Sequence, residues 1–566
     1  MKKRKVWLAV GLGVVLVGAV TLALVMNTDK SEATEDSAEE FVLPVAKTKN
    51  VQELDYQDLG ITSYSDIYNE ENQVAITEKV NALKEESDAD FPNVLAISNP
   101  YLTNTTGLYV YFTTAEATKV SYQVSASGQE DFEATLYNPN GTYSTEHEYQ
   151  LIGLVPEVEN TITLSATTKD GVEETTTITY TPPKLQTTEQ TSYQATDGKS
   201  TAELSDGLYA VIGDQGTDKR GTYLVDNDGV IRAEYPSIGY NVNRINFDDQ
   251  HNMYLPVSKT QIAQINALGQ VTKMYDLDEA GYELHHDLVL DDDNNLLVLA
   301  TNQEDLESED LLEDKIIKVD TQSGEVTSVA DFRDLLPDLY EEATGLEEVT
   351  SYEGMWDPIH LNTIQYVGDD SIIVSSRETS TIMKLDNISE KAEISYFISD
   401  DSVWSGIGDY SDYLLTKDGD FTSQAGQHSV TYQKDENLPE GQYYLYMFNN
   451  NSALMDSRKD FDWANYPGTG TVDITEQDKS YYYKYLVDEE SNSYQLVDQF
   501  EVPYSPLISS VQQVGENMLV DSGMQGTFTE YDSDHQAIRT FKVNSDKGFI
   551  YRVLKYDFND FYFTAE

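Results

Sequence analysis

His286-Asp-Leu-Val-Leu290, an Asp/Asn turn and Leu296-Leu-Val-Leu-Ala300 form the stretch that decides the fold. They lead into Lys315-Ile-Ile-Lys-Val-Asp320, a Ser-Gly turn and Val326-Thr-Ser-Val-Ala330. Short apolar runs bounded by turn residues read as strands, here in a group of four. The group recurs as Asn362-Thr-Ile-Gln-Tyr366, Ser371-Ile-Ile-Val-Ser-Ser376, Thr381-Ile-Met-Lys-Leu-Asp386 and Ala392-Glu-Ile-Ser-Tyr-Phe397. A third copy opens at His428-Ser-Val-Thr-Tyr432 and continues through Tyr443-Tyr-Leu-Tyr-Met-Phe448, and weaker copies start near Asn243 and Ser509. A unit repeated at this length predicts stacked blades around a common axis.

The first copy, from Gly207, has Leu208-Tyr-Ala-Val-Ile212 and Thr222-Tyr-Leu-Val-Asp226 but no opening strand. Spare strands at Phe549–Val553 and Asp560–Phe563 are expected to complete it, which closes the ring and removes its exposed edges. The expectation is an all-β chain with a six-bladed β-propeller over residues 200–566. Asp456 to Lys479 is expected to be a surface loop inserted in blade five.

Upstream, short alternating strands between Gly107 and Tyr180, parted by Asn138-Pro-Asn-Gly141 and Lys169-Asp-Gly171, predict a small β-sandwich over residues 93–185. A Thr/Gln/Ser-rich linker runs from it to about Ser205. Residues 29–92 read as an acidic stalk followed by a short helical segment, with Ile76, Val80 and Leu83 at helical spacing. At the start, Lys2, Lys3, Arg4 and Lys5 precede an uncharged apolar run from Val6 to Met26. Its length suits a membrane anchor, which needs about 20 residues, over a cleavable signal helix. The basic flank then stays cytoplasmic and everything after Asn27 is exported. Residues 1–28 are accordingly read as the anchor or signal, and the protein as extracytoplasmic and tethered.

Cysteine is absent, which removes disulfides, thiol nucleophiles and thiolate metal sites. A formal charge of −64 repels nucleic acid and anionic lipid surfaces, so no nucleic-acid partner is expected.

First strands of propeller blades line the central channel, so their residues converge. Aligned on their turns, the repeats put His286, Asn362 and His428 at one position of three consecutive blades. His360 lies two residues before Asn362, on the same face by the period of a strand. Arg377 ends the second strand of that blade. Only seven histidines occur, and His285, His286, His360 and His428 fall on or beside this register. His147, His251 and His535 sit in turn-like polar stretches and read as surface residues. Three imidazoles permit a metal site, but an arginine aimed at the same spot repels a cation. Arg, Asn and His donors around a free imidazole suit a phosphoryl or sulfuryl group better. No nucleotide-phosphate loop and no nucleophile elbow is present.

Leu284-His-His-Asp287, Trp356-Asp-Pro-Ile-His-Leu-Asn-Thr-Ile364 with Ser371–Arg377, and Gly426-Gln-His-Ser-Val430 resemble the bacterial arylsulfate sulfotransferases. The resemblance covers most of the chain and implies a β-sandwich joined to a six-bladed propeller. It implies ping-pong transfer of a sulfuryl group from an aryl sulfate to a phenolic acceptor, without metal or cofactor. His428 would be the nucleophile, while His286, His360, Asn362 and Arg377 hold the sulfuryl oxygens or exchange the proton. His285 is the alternative to His286. The resemblance also suggests a homodimer through the N-terminal domain. The absent cysteines and the anchor-like leader depart from the Gram-negative members of that family. Two other classes stay open on the residues alone: a non-catalytic surface propeller that binds glycans or proteins, and a metal-dependent propeller hydrolase.

Overall fold

The computed structural model describes residues 43, 48 and most of 50–564; it leaves out 188–191, 214–220, 240–243, 313, 344–354, 545–548 and part of 453–477. The leader and acidic stalk expected from the sequence lie outside the described residues. Among the described residues no helix is long and apolar enough to cross a membrane. The chain is all-β with few helices, and it divides into two compact units.

One unit comprises Glu40–Asp276 and Gln512–Glu566. Its N-terminal part is a single six-stranded sheet built on one 19-residue strand, Leu108–Ala126. The sequence reads this strand as two, Gly107–Phe112 and Lys119–Val124. Its first half pairs with Leu95–Ser98 and Ser144–Leu151, its second half with Phe132–Thr135 and Asn160–Thr168, and the register shifts between Thr113 and Thr118. A shift of this kind bends a strand, and residues from both halves (Val110, Phe112, Val120, Val124) share one buried cluster. His147 belongs here and is not a surface residue. It is fully buried, stacks on Phe112, and lies within hydrogen-bond distance of Thr114, Thr118 and Tyr149. Burial pushes its pKa down to about 4. The alternation of the strand, which puts 147 on the inner face, was the signal for it.

The helical spacing upstream corresponds to a helix over Glu70–Glu86, capped by Asn69 and burying Ile76 and Val80. Gln73 on this helix accepts from Val271 N, which fixes the helix to the sheet of Asn246–Phe247, Met253–Pro256, Gln261–Ile265 and Val271–Asp276.

The strand that the first repeat lacks comes from the C-terminus, as expected, but shifted to Arg552–Tyr556. It pairs with Leu208–Ile212. Asp560–Phe563 forms no strand, only isolated bridges. The stretch read as linker contributes a strand too: Tyr193–Asp197 pairs with Ala537–Val543 at the edge of the last sheet. Lys555 Nζ and Glu530 Oε2, 3.0 Å apart and fully buried, tie the C-terminal strand to that last sheet.

The other unit, Leu277–Val511, holds three successive sheets, antiparallel but for one short edge strand of the third. The first contains Tyr282–Leu290, Leu296–Asn302, Lys315–Val319 and Val326–Asp331. The second contains Leu361–Gly368, Ser371–Ser376, Thr381–Asp386 and Glu393–Ile398. The third contains His428–Gln433, Gln442–Asn449, Ser480–Asp488 and Ser493–Val502, with a short edge strand at Thr416–Lys417. Leu296–Ala300 reads as an unbroken apolar run because it is buried on both faces. The turn before it is set by Asp291, whose carboxylate accepts from Asp293 N and Asn295 N. The first strands of successive sheets lie side by side, and apolar clusters fill the spaces between sheets.

The insertion after Asn449 is not only a surface loop. Trp463 and Tyr466 are buried in the same cluster as Phe397, Trp404 and Tyr410, and Tyr466 OH donates to Gln424 O.

Candidate functional site

All five residues singled out from the sequence lie in the Leu277–Val511 unit: His286, Asn362 and His428 in the first strands of its three sheets, His360 just before the middle one, and Arg377 just after that sheet's second strand. They do not share one register position. Each first strand carries a bulge: between Leu284 and Leu288, between Leu361 and Thr363, and between His428 and Thr431. His286 and Asn362 lie inside their bulges, whereas His428 is the last regularly paired residue before its own. His360 precedes its strand, so strand periodicity does not apply to it. His286 and His360 both have φ 47°, and Ser429 has φ 55°. Left-handed backbone at non-glycine residues costs energy, and bulges re-aim side chains. Turn alignment alone does not detect the extra residues.

His428 is 3% exposed. Its Nδ1 faces Gly426 O at 3.0 Å and Asn450 Oδ1 at 2.8 Å. The orientation of Asn450 is fixed because its Nδ2 donates to Ser505 O and Ile508 O, both at 2.8 Å. Two acceptors at Nδ1 put the ring proton there and leave the lone pair on Nε2. Burial lowers the pKa of His428 to about 3, opposed by the Asn450 hydrogen bond and helped by the charges of Arg377 and His360. The imidazole is therefore neutral at ordinary pH.

His360 is oriented by Asp357. The Asp357 carboxylate accepts from His360 Nδ1, and its other oxygen accepts from His360 N at 2.8 Å. A carboxylate behind one ring nitrogen fixes the tautomer and supports the imidazolium when it forms. The His360 ring meets that of His286 edge-on at 4.6 Å. His285 stands behind His286, with Nδ1 to Nδ1 at 2.9 Å, so the ring against His360 is that of His286.

Arg377 is buried, and its guanidinium donates to the fully buried Glu378. This partner holds the fork and offsets part of its charge, a moderation that the sequence argument for an anion site did not include. Arg377 N donates to His360 O at 3.0 Å, which keeps the two residues adjacent. Asn362 Nδ2 donates to Gln427 O at 2.8 Å. At least one donor of Asn362 thus holds the main chain beside His428. Gln427 Nε2 in turn reaches Ser375 Oγ and Ser376 O.

Sequence reasoning missed Asp357, Asn450, Glu378 and Gln427 as parts of the site. Asp357 and Gln427 stood inside the quoted motifs and Glu378 directly after one. Asn450 is the middle of an Asn-Asn-Asn run at the end of a strand, where three amides in a row call for partners. Among the described residues no group of three or more His, Asp or Glu side chains is placed to hold a metal ion.

A neutral imidazole with its lone pair on Nε2, a carboxylate-backed imidazole and a held guanidinium are suited to group transfer from an anionic ester. The chain belongs to the arylsulfotransferase family: the model of that family matches residues 194–557, and the arylsulfotransferase Ig-like domain matches residues 95–183. No curated protein matches it. Among solved structures it is similar to a putative 6-phosphogluconolactonase from Bacteroides fragilis, at 11% identity and TM-score 0.32, over 78% of this chain and 98% of that one. It is also similar to the WD40 domain of Toxoplasma gondii coronin, at 9% identity and TM-score 0.31, over 66% of this chain and 87% of that one.

Proposed function

We propose that the protein transfers a sulfuryl group from an aryl sulfate ester to a phenol by a ping-pong route through His428. Family membership supports arylsulfotransferase activity in general. The observation that carries the finer statement is His428 Nδ1 facing two acceptors, which supports Nε2 as the attacking atom. In the first half-reaction an Nε2–S bond forms as the S–O bond to the aryl oxygen breaks. His360, backed by Asp357, gives its Nε2 proton to the departing phenolate, with His286 as the adjoining ring. Arg377 steadies the sulfuryl oxygens, on which charge rearranges in the transition state. In the second half-reaction His360 accepts the proton of the incoming phenol, a new S–O bond forms, and the N–S bond breaks. Seclusion of the histidines favours transfer to a phenol over hydrolysis by water.

The reading extends to a six-bladed propeller, supported by the repeated sheets and by the C-terminal strand that opens the first of them. It extends also to an exported chain tethered by residues 6–26, and to a dimer through the N-terminal domain. His428→Asn is expected to abolish transfer from p-nitrophenyl sulfate to phenol while the circular dichroism spectrum stays that of the wild type. Normal turnover by the folded variant would refute the assignment.

A further inference from the structure

Asp357 orients His360, yet it stands in a segment without regular structure, between Trp356 and the strand that begins at Leu361. That segment is held from behind. Trp356 N donates to Asp310 O at 2.7 Å and Leu312 N to Trp356 O at 3.1 Å, a parallel bridge that fixes the main chain beside Asp357. The Trp356 indole meets the Tyr340 ring edge-on at 5.8 Å. Tyr340 OH donates to Asp314 Oδ2 at 3.1 Å, and both residues are buried. Lys315 Nζ lies 3.4 Å from Asp314, 2.8 Å from Asp331 and 3.1 Å from Asp305. The chain of contacts therefore runs from three carboxylates and a lysine, through one phenol and one indole, to the main chain of the residue that aims His360.

We infer that Tyr340 and Asp314 are positioning residues for the Asp357–His360 pair, acting through Trp356 to hold His360 where it protonates the leaving phenolate. The inference rests on the role of His360 as general acid given above. Neither residue touches the sulfuryl group, so their loss acts on proton transfer and not on nucleophilic attack. A structural account in which they only stabilise the unit predicts equal losses for every donor. The positioning account predicts unequal ones, because a good leaving group needs little protonation and a poor one needs much.

The test compares p-nitrophenyl sulfate with phenyl sulfate, whose phenolate leaves less readily, in the full-length protein. Tyr340→Phe keeps the ring on Trp356 and removes only the hydroxyl. Its turnover of phenyl sulfate is expected to fall about tenfold more than its turnover of p-nitrophenyl sulfate, less than the roughly 100- to 10,000-fold that an acid–base group itself contributes. KM for each donor is expected to stay near the wild-type value. Asp314→Ala, which removes the acceptor and keeps the tyrosine, is expected to give the same pattern. His360→Ala is the reference and is expected to show the largest difference between donors. If His360→Ala discriminates between the donors while the two variants lose both equally, or lose neither, the positioning role is overturned. If His360→Ala itself does not discriminate, the general-acid role fails instead.

Discussion

Asn450 presents its Oδ1 to Nδ1 of His428 at 2.8 Å and is itself locked by two main-chain carbonyls. This amide and Gly426 O together decide which nitrogen of the buried imidazole carries the lone pair. Gly426 O is the second acceptor at the same nitrogen, at 3.0 Å.

Replacing Asn450 tests this control. Asn450→Leu removes the locked acceptor and is expected to lower kcat by about 100-fold, since a histidine held at Nδ1 by Gly426 O alone populates the wrong tautomer more and is a poorer nucleophile. Asn450→Asp puts a negative charge beside the ring and raises the pKa of His428. The acid limb of its kcat–pH profile is expected to move to higher pH than that of the wild type.

The depressed pKa of His428 also links stability to pH. Folded His428 titrates at about 3 and buried His147 at about 4, both below the unfolded value of about 6.5. Below about 6.5 the unfolded chain binds protons that the folded chain refuses. The stability these groups contribute is therefore complete above that pH and is lost as pH falls toward 3 to 4. Each contributes up to about 1.4 kcal/mol per pH unit in that window. Urea midpoints measured between pH 7 and 4 are expected to fall for the wild type and to fall less steeply for His428→Asn.

Asp357→Asn keeps the shape of the side chain and removes its charge from behind His360. A loss of about 100- to 10,000-fold in kcat is expected, as for general acid–base groups whose orienting partner is neutralised. Arg377→Lys is expected to be impaired as well, because a point charge replaces neither the fork nor its seat on Glu378. Steady-state kinetics with p-nitrophenyl sulfate checks both.

Lys555 and Glu530 tie the C-terminal strand to the last sheet from positions with no solvent. Glu530→Ala leaves a buried ammonium without its carboxylate and is expected to cost about 3–5 kcal/mol in chemical denaturation.

The strands were legible because their apolar runs and Asx turns state their own structure, as at Leu296–Ala300 and Asp291. The shared neighbourhood of His286, His360, Arg377 and His428 was legible because those residues stand at the starts or ends of repeated strands. Bulges were not: an inserted residue leaves the alternation on either side intact, so His286, Asn362 and His428 looked equivalent when they are not. Burial of His147 and Trp463 was hidden for another reason. Polar or loop-like neighbours surround them in sequence, while their packing partners come from Phe112 and from Trp404, distant along the chain. Asn450 and Asp357 act on other side chains, and a residue that works through its neighbour leaves no separate motif.

The central claim is that His428 itself carries the sulfuryl group. It is tested most directly by mass spectrometry of the His428 peptide after incubation with p-nitrophenyl sulfate and no acceptor. The account predicts one sulfuryl group on the His428 ring, discharged when phenol is added. An unmodified His428 peptide during release of nitrophenol, or a sulfuryl group on another residue, would contradict it.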